Sequence, residues 1–321
     1  MSVLVSIAVV SYNTRELTLR CLKAAEDSAG GYGTVLTLVD NGSSDGTVEA
    51  VRRECPAWRV VTSPENPGYG SALNLAFRDA PGWSYLALNS DILLDSDAIQ
   101  LLADFLRKHP DCGLVGPALT YPDGRPQVSA KLFQGLPLAL AETLWFNSLF
   151  PCNGLVRRFY YEGQDFASYP WVDTVSGAAM LIRGEAFRRV GGFDECFRMY
   201  FEETDLCRRL HDAGYRVALC TPATATHCHG ASTVQSSVRQ VEYYLSYLRF
   251  FRKHHGRGPA RILAVAVGAS TVLRMLALPL KYPPFSGPRR EILRGKLAAC
   301  LRLLRHLWRP PTGRAPREAL P

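Results

Sequence analysis

At 321 residues, 47% hydrophobic and 21% charged, the chain is long enough to bury a sizeable core in one large domain or two ordinary ones, and its composition excludes disorder except at the proline-rich end "RPPTGRAPREALP". The net charge of +8 is unevenly spread: residues 243–321 hold sixteen Lys and Arg against two acids, Glu291 and Glu318, giving +14, whereas residues 1–242 hold 21 bases and 27 acids, giving −6. An acidic body with a basic tail calls for an anionic partner at the tail. A membrane surface is preferred to nucleic acid, because no basic stretch is interleaved with the aromatics that stack bases.

From the N-terminus, "VSIAVVSYN", "TVLTLVDNGS", "WRVVTSPEN", "WSYLALNSDI" and "CGLVGPAL" read as strands, and 15–28, 46–54, 70–79 and 96–108 between them as helices. Alternating β and α predicts an α/β fold with a mostly parallel sheet flanked by helices on both faces. Ligands of such sheets bind at the carboxyl ends of the strands. There this chain has Ser11, Tyr12 and Asn13, then "DNGSSDGT" from Asp40, then "ENPGYG" with Asn66 and Gly68 leading to Asn74, then Asn89, Ser90 and Asp91. Any one such loop is adequately explained as a turn. Four of them on one edge predict a site.

Residues 121–170 are rich in aromatics and proline and are expected to form long loops. "WVDTVSGAAMLIRGEAFRRVGGFDE" then reads as strand, turn, helix and turn, and leads into "MYFEETDLCRRL". In the latter, Glu202, Glu203 and Asp205 lie among Tyr200, Phe201, Leu206 and Leu210, where mutual repulsion and lost solvation raise carboxyl pKa values. Alone, the stretch reads as a charged helix face, with Asp205 and Arg209 as i,i+4 partners. The nine cysteines are scattered singly without a CxxC pair, and "MSVLVSIAVV" lacks the basic start of a signal peptide. A reduced, cytoplasmic setting is the expectation, and "CTPATATHCHG" is not expected to bind zinc.

In the tail, "ILAVAVGASTVLRMLALPL" (262–280) carries one charge, Arg274, whose placement in mid-membrane would cost roughly 2.5–3.5 kcal/mol on insertion scales, so a spanning helix is disfavoured. Leu297, Cys300, Leu301, Leu304, Leu307 and Trp308 share one helical face and Lys296, Arg302, Arg305 and Arg309 lie off it, the pattern of a helix lying on a membrane surface.

The chemistry-bearing motifs point further. An acid just beyond a buried strand, Asp91, preceded by a carboxamide, Asn89, can hold a hard divalent cation that also bridges substrate phosphates. Asp40 at a strand end can accept from a ribose or a base edge, while no GxGxxG loop supports a nicotinamide site. Taken in order, "VVSYNTRELTLRCL", "LVDNGSSDGT", "ENPGYGSALNLAF", "YLALNSDILL", "VSGAAMLIRGEAFRRVGGFDE", "YFEETDLCRRLHDAGYRV" and "HCHGAS" resemble the family-2 glycosyltransferases, most closely the rhamnosyltransferase-type branch that builds bacterial cell-envelope polysaccharides. The resemblance spans residues 3–250.

The resemblance implies a GT-A fold over 1–250, with a nucleotide-binding half (1–120) and an acceptor and catalytic half (121–250), followed by a basic helical extension over 251–321. It implies an inverting transfer of a hexose, rhamnose from dTDP-rhamnose being what the branch suggests, from a dTDP-, UDP- or GDP-sugar to a glycan or polyprenyl-linked acceptor. Mg²⁺ or Mn²⁺ would assist, at the inner face of the cell membrane and without nucleic acid. By position, Asp40 resembles the nucleotide-binding Asp, and Asn89-Ser90-Asp91 stands at the metal-binding D-x-D with Asp91 as the retained ligand. Glu203 stands at the catalytic base, with Glu202 and Asp205 as alternatives. His227, with His229 as second choice, resembles the His near the diphosphate and metal, and Gly177 the acceptor-side glycine. The chain departs from the pattern in having Asn89 for the first Asp of D-x-D, and Glu rather than Asp as base. A catalytically silent sugar-nucleotide binder is one alternative. A sugar nucleotidyltransferase is another, opposed by the lack of glycine in "SYNTREL".

Overall fold

The computed structural model describes residues 4–30, 32–80, 82–146, 150, 153–228, 236–281 and 287–307. They form two compact units: one of Met1–Phe133, Phe159–Glu195 and Glu202–Thr233, the other of Gln134–Arg158, Cys196–Phe201 and Val234–Pro321.

The first unit is built on a sheet of ten strands. β1 (Leu4–Ser11), β2 (Gly33–Asp40), β3 (Arg59–Thr62) and β4 (Ser84–Asn89) run parallel in the order β3-β2-β1-β4. They alternate with α1 (Arg15–Ser28), α2 (Thr47–Glu54) and α3 (Tyr69–Phe77), and β5 (Ile92–Leu94) and α4 (Ala98–Lys108) follow. These helices lie within two residues of the spans read from periodicity. α4 illustrates why: Ala98, Ile99, Leu102, Ala103 and Leu106 recur at helical spacing and are all buried. β1 is buried on both faces, as a central parallel strand with helices above and below must be.

Beyond β4 the sheet continues with β11 (Ala179–Arg183), β6 (Cys112–Thr120), β12 (Arg216–His227) and β5. β11 runs antiparallel to both its neighbours, β4 and β6, so the sheet is mixed though mostly parallel. β7 (Pro126–Gln127) extends β6, β9 (Trp171–Val172) pairs with β12, and β8 (Ala130–Lys131) and β10 (Thr174–Val175) form a separate two-stranded ribbon. Two apolar layers cover the sheet, one built around Ile7, Leu38, Leu86 and Leu102, the other around Leu73, Phe77, Met180 and Leu206.

Residues 121–170, expected as loops, also contain α5 (Leu136–Thr143) and α6 (Gly154–Phe159). α5, LPLALAET, is apolar nearly throughout and so shows no helical period, and α6, GLVRRF, is too short to show one. α7 (Gly184–Arg189) and α8 (Glu202–Asp212) complete the first unit. The second is helical, with α5, all but the last residue of α6, α9 (Ser236–His254), α10 (Arg257–Lys281) and α11 (Gly287–Leu307). Its interior is aromatic: Tyr247, Phe250 and Phe251 are fully buried, and Phe201 stacks on Tyr247 with ring centroids 5.1 Å apart. Among the described residues, one helix is long and apolar enough to cross a membrane by length and composition, Arg257–Pro279.

Candidate active site

The strand register brings the polar loops to one edge. Ser11 lies beside Asp40, Asp40 beside Thr62, and Val10 beside Asn89, so the ends of β1, β2, β3 and β4 are level. Hydrogen bonds then knit the loops together. The Asn13 N–H donates to Ser43 Oγ (2.9 Å), and Asn13 Oδ1 accepts from the Ser44 N–H (2.7 Å). Thr14 Oγ1 meets Ser90 Oγ at 2.8 Å, and Ser11 Oγ meets Thr18 Oγ1 at 2.8 Å. Tyr12 is half-buried beside them. Asn13 adopts φ +52°, a left-handed conformation that asparagine tolerates better than most residues.

Asp40 is buried, and its Oδ2 accepts from the Gly42 and Ser43 N–H groups at 3.1 and 2.9 Å. Its Oδ1, and Oδ1 of the neighbouring buried Asn41, have no hydrogen-bond partner among the described residues. Two buried acceptors left open side by side are a costly arrangement unless a ligand supplies donors. Gly42 is required here: it has φ +87°, and a Cβ would meet the Pro64 carbonyl oxygen at 3.1 Å.

At the end of β4, the Asn89 N–H donates to the Ala178 carbonyl (2.9 Å), which ties this loop to the start of β11. Asp91 Oδ1 faces His227 Nε2 at 3.3 Å, and the other ring nitrogen, Nδ1, is 3.0 Å from Gln127 Oε1. The Gln127 amide thus holds the ring so that Nε2 is directed at the Asp91 carboxylate. Two acceptors so placed suit a shared cation, and Gln127 orients the ring as outer partners of metal-bound histidines do.

Glu202 and Glu203 open α8, where the helix dipole favours negative charge, and both are buried. They are not equivalent. Glu203 Oε1 accepts from Thr204 Oγ1 (2.8 Å) and faces Lys131 Nζ at 3.4 Å. Glu202 has no such support: its Oε2 lacks a partner among the described residues, and burial first, the Glu203 carboxylate second, push its pKa up to about 8. Gly177 lies against this pair, since a Cβ there would sit 3.3 Å from the Glu203 side chain. The Tyr69 hydroxyl donates to the Gly177 carbonyl (3.0 Å), and its pKa is raised by burial and then by the charges of Glu202 and Asp91. Just ahead of α8, Tyr200 and Phe201 both have positive φ (+66° and +67°), a strained backbone of the kind that gathers at functional sites.

Four sequence candidates have other engagements. Asp205 is 0% exposed and bonded through Oδ2 to Arg209 Nε at 2.7 Å, while Arg209 also caps the Val190 carbonyl. It anchors α8 instead of facing a substrate. Asn74 spends its amide on the backbone of Phe193, donating at 2.8 Å and accepting at 2.9 Å, and braces α3. Asn66 (φ +43°) and Gly68 (φ +106°) shape the turn into α3. His229 and Ser232 lie outside the described residues. Lys131, Gln127, Tyr69, Thr14 and Asn41 escape sequence reasoning. Of these Asn41 beside Asp40, Tyr69 within "ENPGYG" and Thr14 beside Asn13 lay in or next to loops already singled out and carried a usable signal, whereas Lys131 and Gln127 carried none.

The sequence profile described as "Glycosyl transferase family 2" matches residues 6–191, and that of "Glycosyl transferase family group 2" matches 158–304. The chain is 30% identical over 244 residues to an N-acetylglucosaminyl-diphospho-decaprenol L-rhamnosyltransferase of Mycobacterium tuberculosis, covering 70% of this chain and 77% of the relative. It is 23% identical over 271 residues to a low-salt glycan biosynthesis hexosyltransferase of Haloferax volcanii, covering 79% and 82%. A mannosyltransferase from Pyrobaculum calidifontis, solved in complex with GDP-Man and Mn²⁺, shares the fold with a TM-score of 0.54 at 17% identity, over 95% of this chain and 87% of that one.

Proposed function

The chain belongs to glycosyl transferase family 2, in its rhamnosyltransferase branch, and from that premise we propose that it transfers a hexose, rhamnose from dTDP-rhamnose first among the candidates, to a hydroxyl of a lipid-linked glycan with inversion. That the chain is a glycosyltransferase follows from its relatives. The donor, acceptor, cation and residue roles are the proposal.

The observation that carries the mechanism is the inequality of the two buried glutamates. Glu203, facing Lys131 and Thr204, is the better supported of the two and the one assigned as proton acceptor. It takes the proton from the acceptor hydroxyl as that oxygen closes on the anomeric carbon and the bond to the diphosphate oxygen breaks. Glu202, with its raised pKa, retains a proton near neutral pH, so no second anion competes with Glu203 for Lys131. The open oxygens of Asp40 and Asn41 accept from the N–H and O–H groups of the donor's nucleoside, and the stitched β1 and β2 loops keep them fixed. Asp91 and His227 would hold a divalent cation, Mg²⁺ or Mn²⁺. When bound, such an ion supplies Lewis-acid stabilisation of the leaving diphosphate.

Binding without turnover is the second reading, favoured by Asn89 standing where the family pattern has an acid. Calorimetric titration with dTDP-rhamnose, UDP- and GDP-sugars, with and without Mn²⁺, followed by a transfer assay on N-acetylglucosaminyl-diphospho-polyprenol, separates the readings. Cation-dependent binding of one donor with transfer supports the proposal. Binding without transfer to any glycan lipid supports the silent binder.

A further inference from the structure

In the tail a run of exposed apolar side chains lies on α10, the helix ahead of the one whose sequence pattern is amphipathic. α11 turns Leu293, Cys300 and Leu303 inward and half-buries Leu297, Leu304 and Leu307; of the apolar face read from periodicity Leu301 stays exposed and Trp308 lies outside the described residues. α10 packs on α5, α9 and α11 through one side, where Leu263, Val267, Ser270 and Thr271 are buried. Its opposite side has no such cover. Ile262, Val265, Ala269, Val272, Leu273 and Leu276 are all exposed, Val265 to 73% and Leu276 to 71%. The stripe recurs at three- and four-residue steps, so it forms one continuous apolar line along the helix.

Arg274 decides how this line is used. Its guanidinium donates to the Tyr244 hydroxyl at 3.1 Å and lies over the rings of Trp145 and Tyr244 at 5.5 and 5.8 Å. The charge that speaks against a spanning helix is thus engaged with partners of its own unit, and the exposed stripe is uncharged. Lipid on all sides of α10 would strip Arg274, Ser270 and Thr271 of their surroundings, whereas lipid on one side touches none of them. Charge selects the partner. Residues 257–307 hold ten Lys and Arg and a single acid, Glu291. Two copies of so basic a segment repel each other, and the stripe covers only about two heptads, short for a coiled coil. An anionic surface is attracted.

We infer that α10 lies flat on an anionic lipid bilayer, its Ile262–Leu276 stripe in the acyl boundary and the exposed Arg257 and Arg261 of the same helix at the headgroups. This goes beyond the transfer reading and does not depend on which sugar is moved; dTDP-rhamnose binding measured on the same samples reports a failure of that reading separately. The test is sedimentation of the full chain with vesicles of phosphatidylglycerol and phosphatidylcholine, against vesicles of phosphatidylcholine alone. The expected result is partition onto the anionic vesicles that weakens in high salt, is reversed by alkaline carbonate, and falls at least tenfold in Val265→Glu/Leu276→Glu. Val265→Ser/Leu276→Ser, which adds no charge, gives a smaller loss in the same direction. Equal partition of the wild type and both variants would overturn the inference. Resistance to carbonate would do so in favour of a spanning helix, and a wild-type dimer made monomeric by the glutamates in favour of a second copy.

Discussion

Two polar regions share the carboxyl edge of the sheet, and they are built on opposite plans. In the β1 and β2 loops nearly every polar atom is bonded to a neighbour: Asn13 to Ser43 and Ser44, Asp40 to Gly42 and Ser43, Arg15 N–H to Asp45. Among the described residues, the buried atoms left without a hydrogen bond there are Asp40 Oδ1, Asn41 Oδ1 and Arg15 Nε. At the start of α8 the reverse holds: two carboxyl groups are buried side by side, one of them raised in pKa and short of a partner, after two residues of left-handed backbone. A preorganised cradle binds at little reorganisation cost, whereas an under-compensated acid pair stores free energy that chemistry can release. Binding and turnover should therefore fail separately when each region is damaged.

The largest effect is expected at Glu203. Glu203→Gln keeps the shape and removes the proton acceptor, so single-turnover transfer should drop by roughly 10²–10⁴-fold, the usual contribution of a general base, while the calorimetric Kd for donor stays within about twofold. Full activity in this variant, with loss in Glu202→Gln, would exchange the roles of the two acids. Next, Asp91→Asn should weaken donor binding in Mn²⁺ by about 10–100-fold and leave the cation-free affinity unchanged, as loss of a metal ligand or its close support does. Equal affinity with and without Mn²⁺ in the wild type would remove the ion from the mechanism and detach Asp91 from the chemistry.

The acid pair also predicts a pH dependence of folding. The Glu202 carboxyl has a folded-state pKa near 8 against an ordinary 4.5, so the folded chain holds a proton that the unfolded chain has released. Its contribution to stability is full below about pH 4.5 and is lost as pH rises toward 8. Denaturant midpoints between pH 5 and pH 9 should fall, and Glu202→Gln should flatten the slope. Lys131 opposes the rise. Lys131→Met should therefore move the upper end of the slope to still higher pH, and an unchanged profile would show that Lys131 and the pair are not coupled.

Much of the parallel half of the sheet was legible because each buried strand ends abruptly in Asn, Asp, Ser or Gly, and a helix of clear period follows. Pattern and position there carry the same information. The acid pair was legible as a pair, but not its asymmetry. Lys131 lies 72 positions before Glu203 and Gln127 lies 100 before His227. No local pattern links them, and only the pairing of β7 and β8 with their neighbours carries them to the site. The direction of Arg274 was hidden for a related reason. A mean over a helix counts the charge without saying which face bears it, so the residue that seemed to forbid lipid contact is the one that leaves a clean apolar face.

Asn74 gives the smallest effect and the sharpest separation of support from chemistry. Its position in "ENPGYGSALNLAF" made it a candidate for the donor site, yet its amide closes a two-way bond with the Phe193 backbone, and it donates to Glu195 as well. Asn74→Ala leaves the N–H and carbonyl of the buried Phe193 to find water or go unpaired, at a cost of about 1–3 kcal/mol in urea unfolding. Because α3 also carries Tyr69, whose hydroxyl holds Gly177 against Glu203, a loosened α3 should lower turnover modestly while the affinity for donor nucleotide stays put. A selective loss of donor affinity with unchanged stability would instead return Asn74 to the binding site and transfer the bracing role to the aromatic contacts of Phe193 with Phe187.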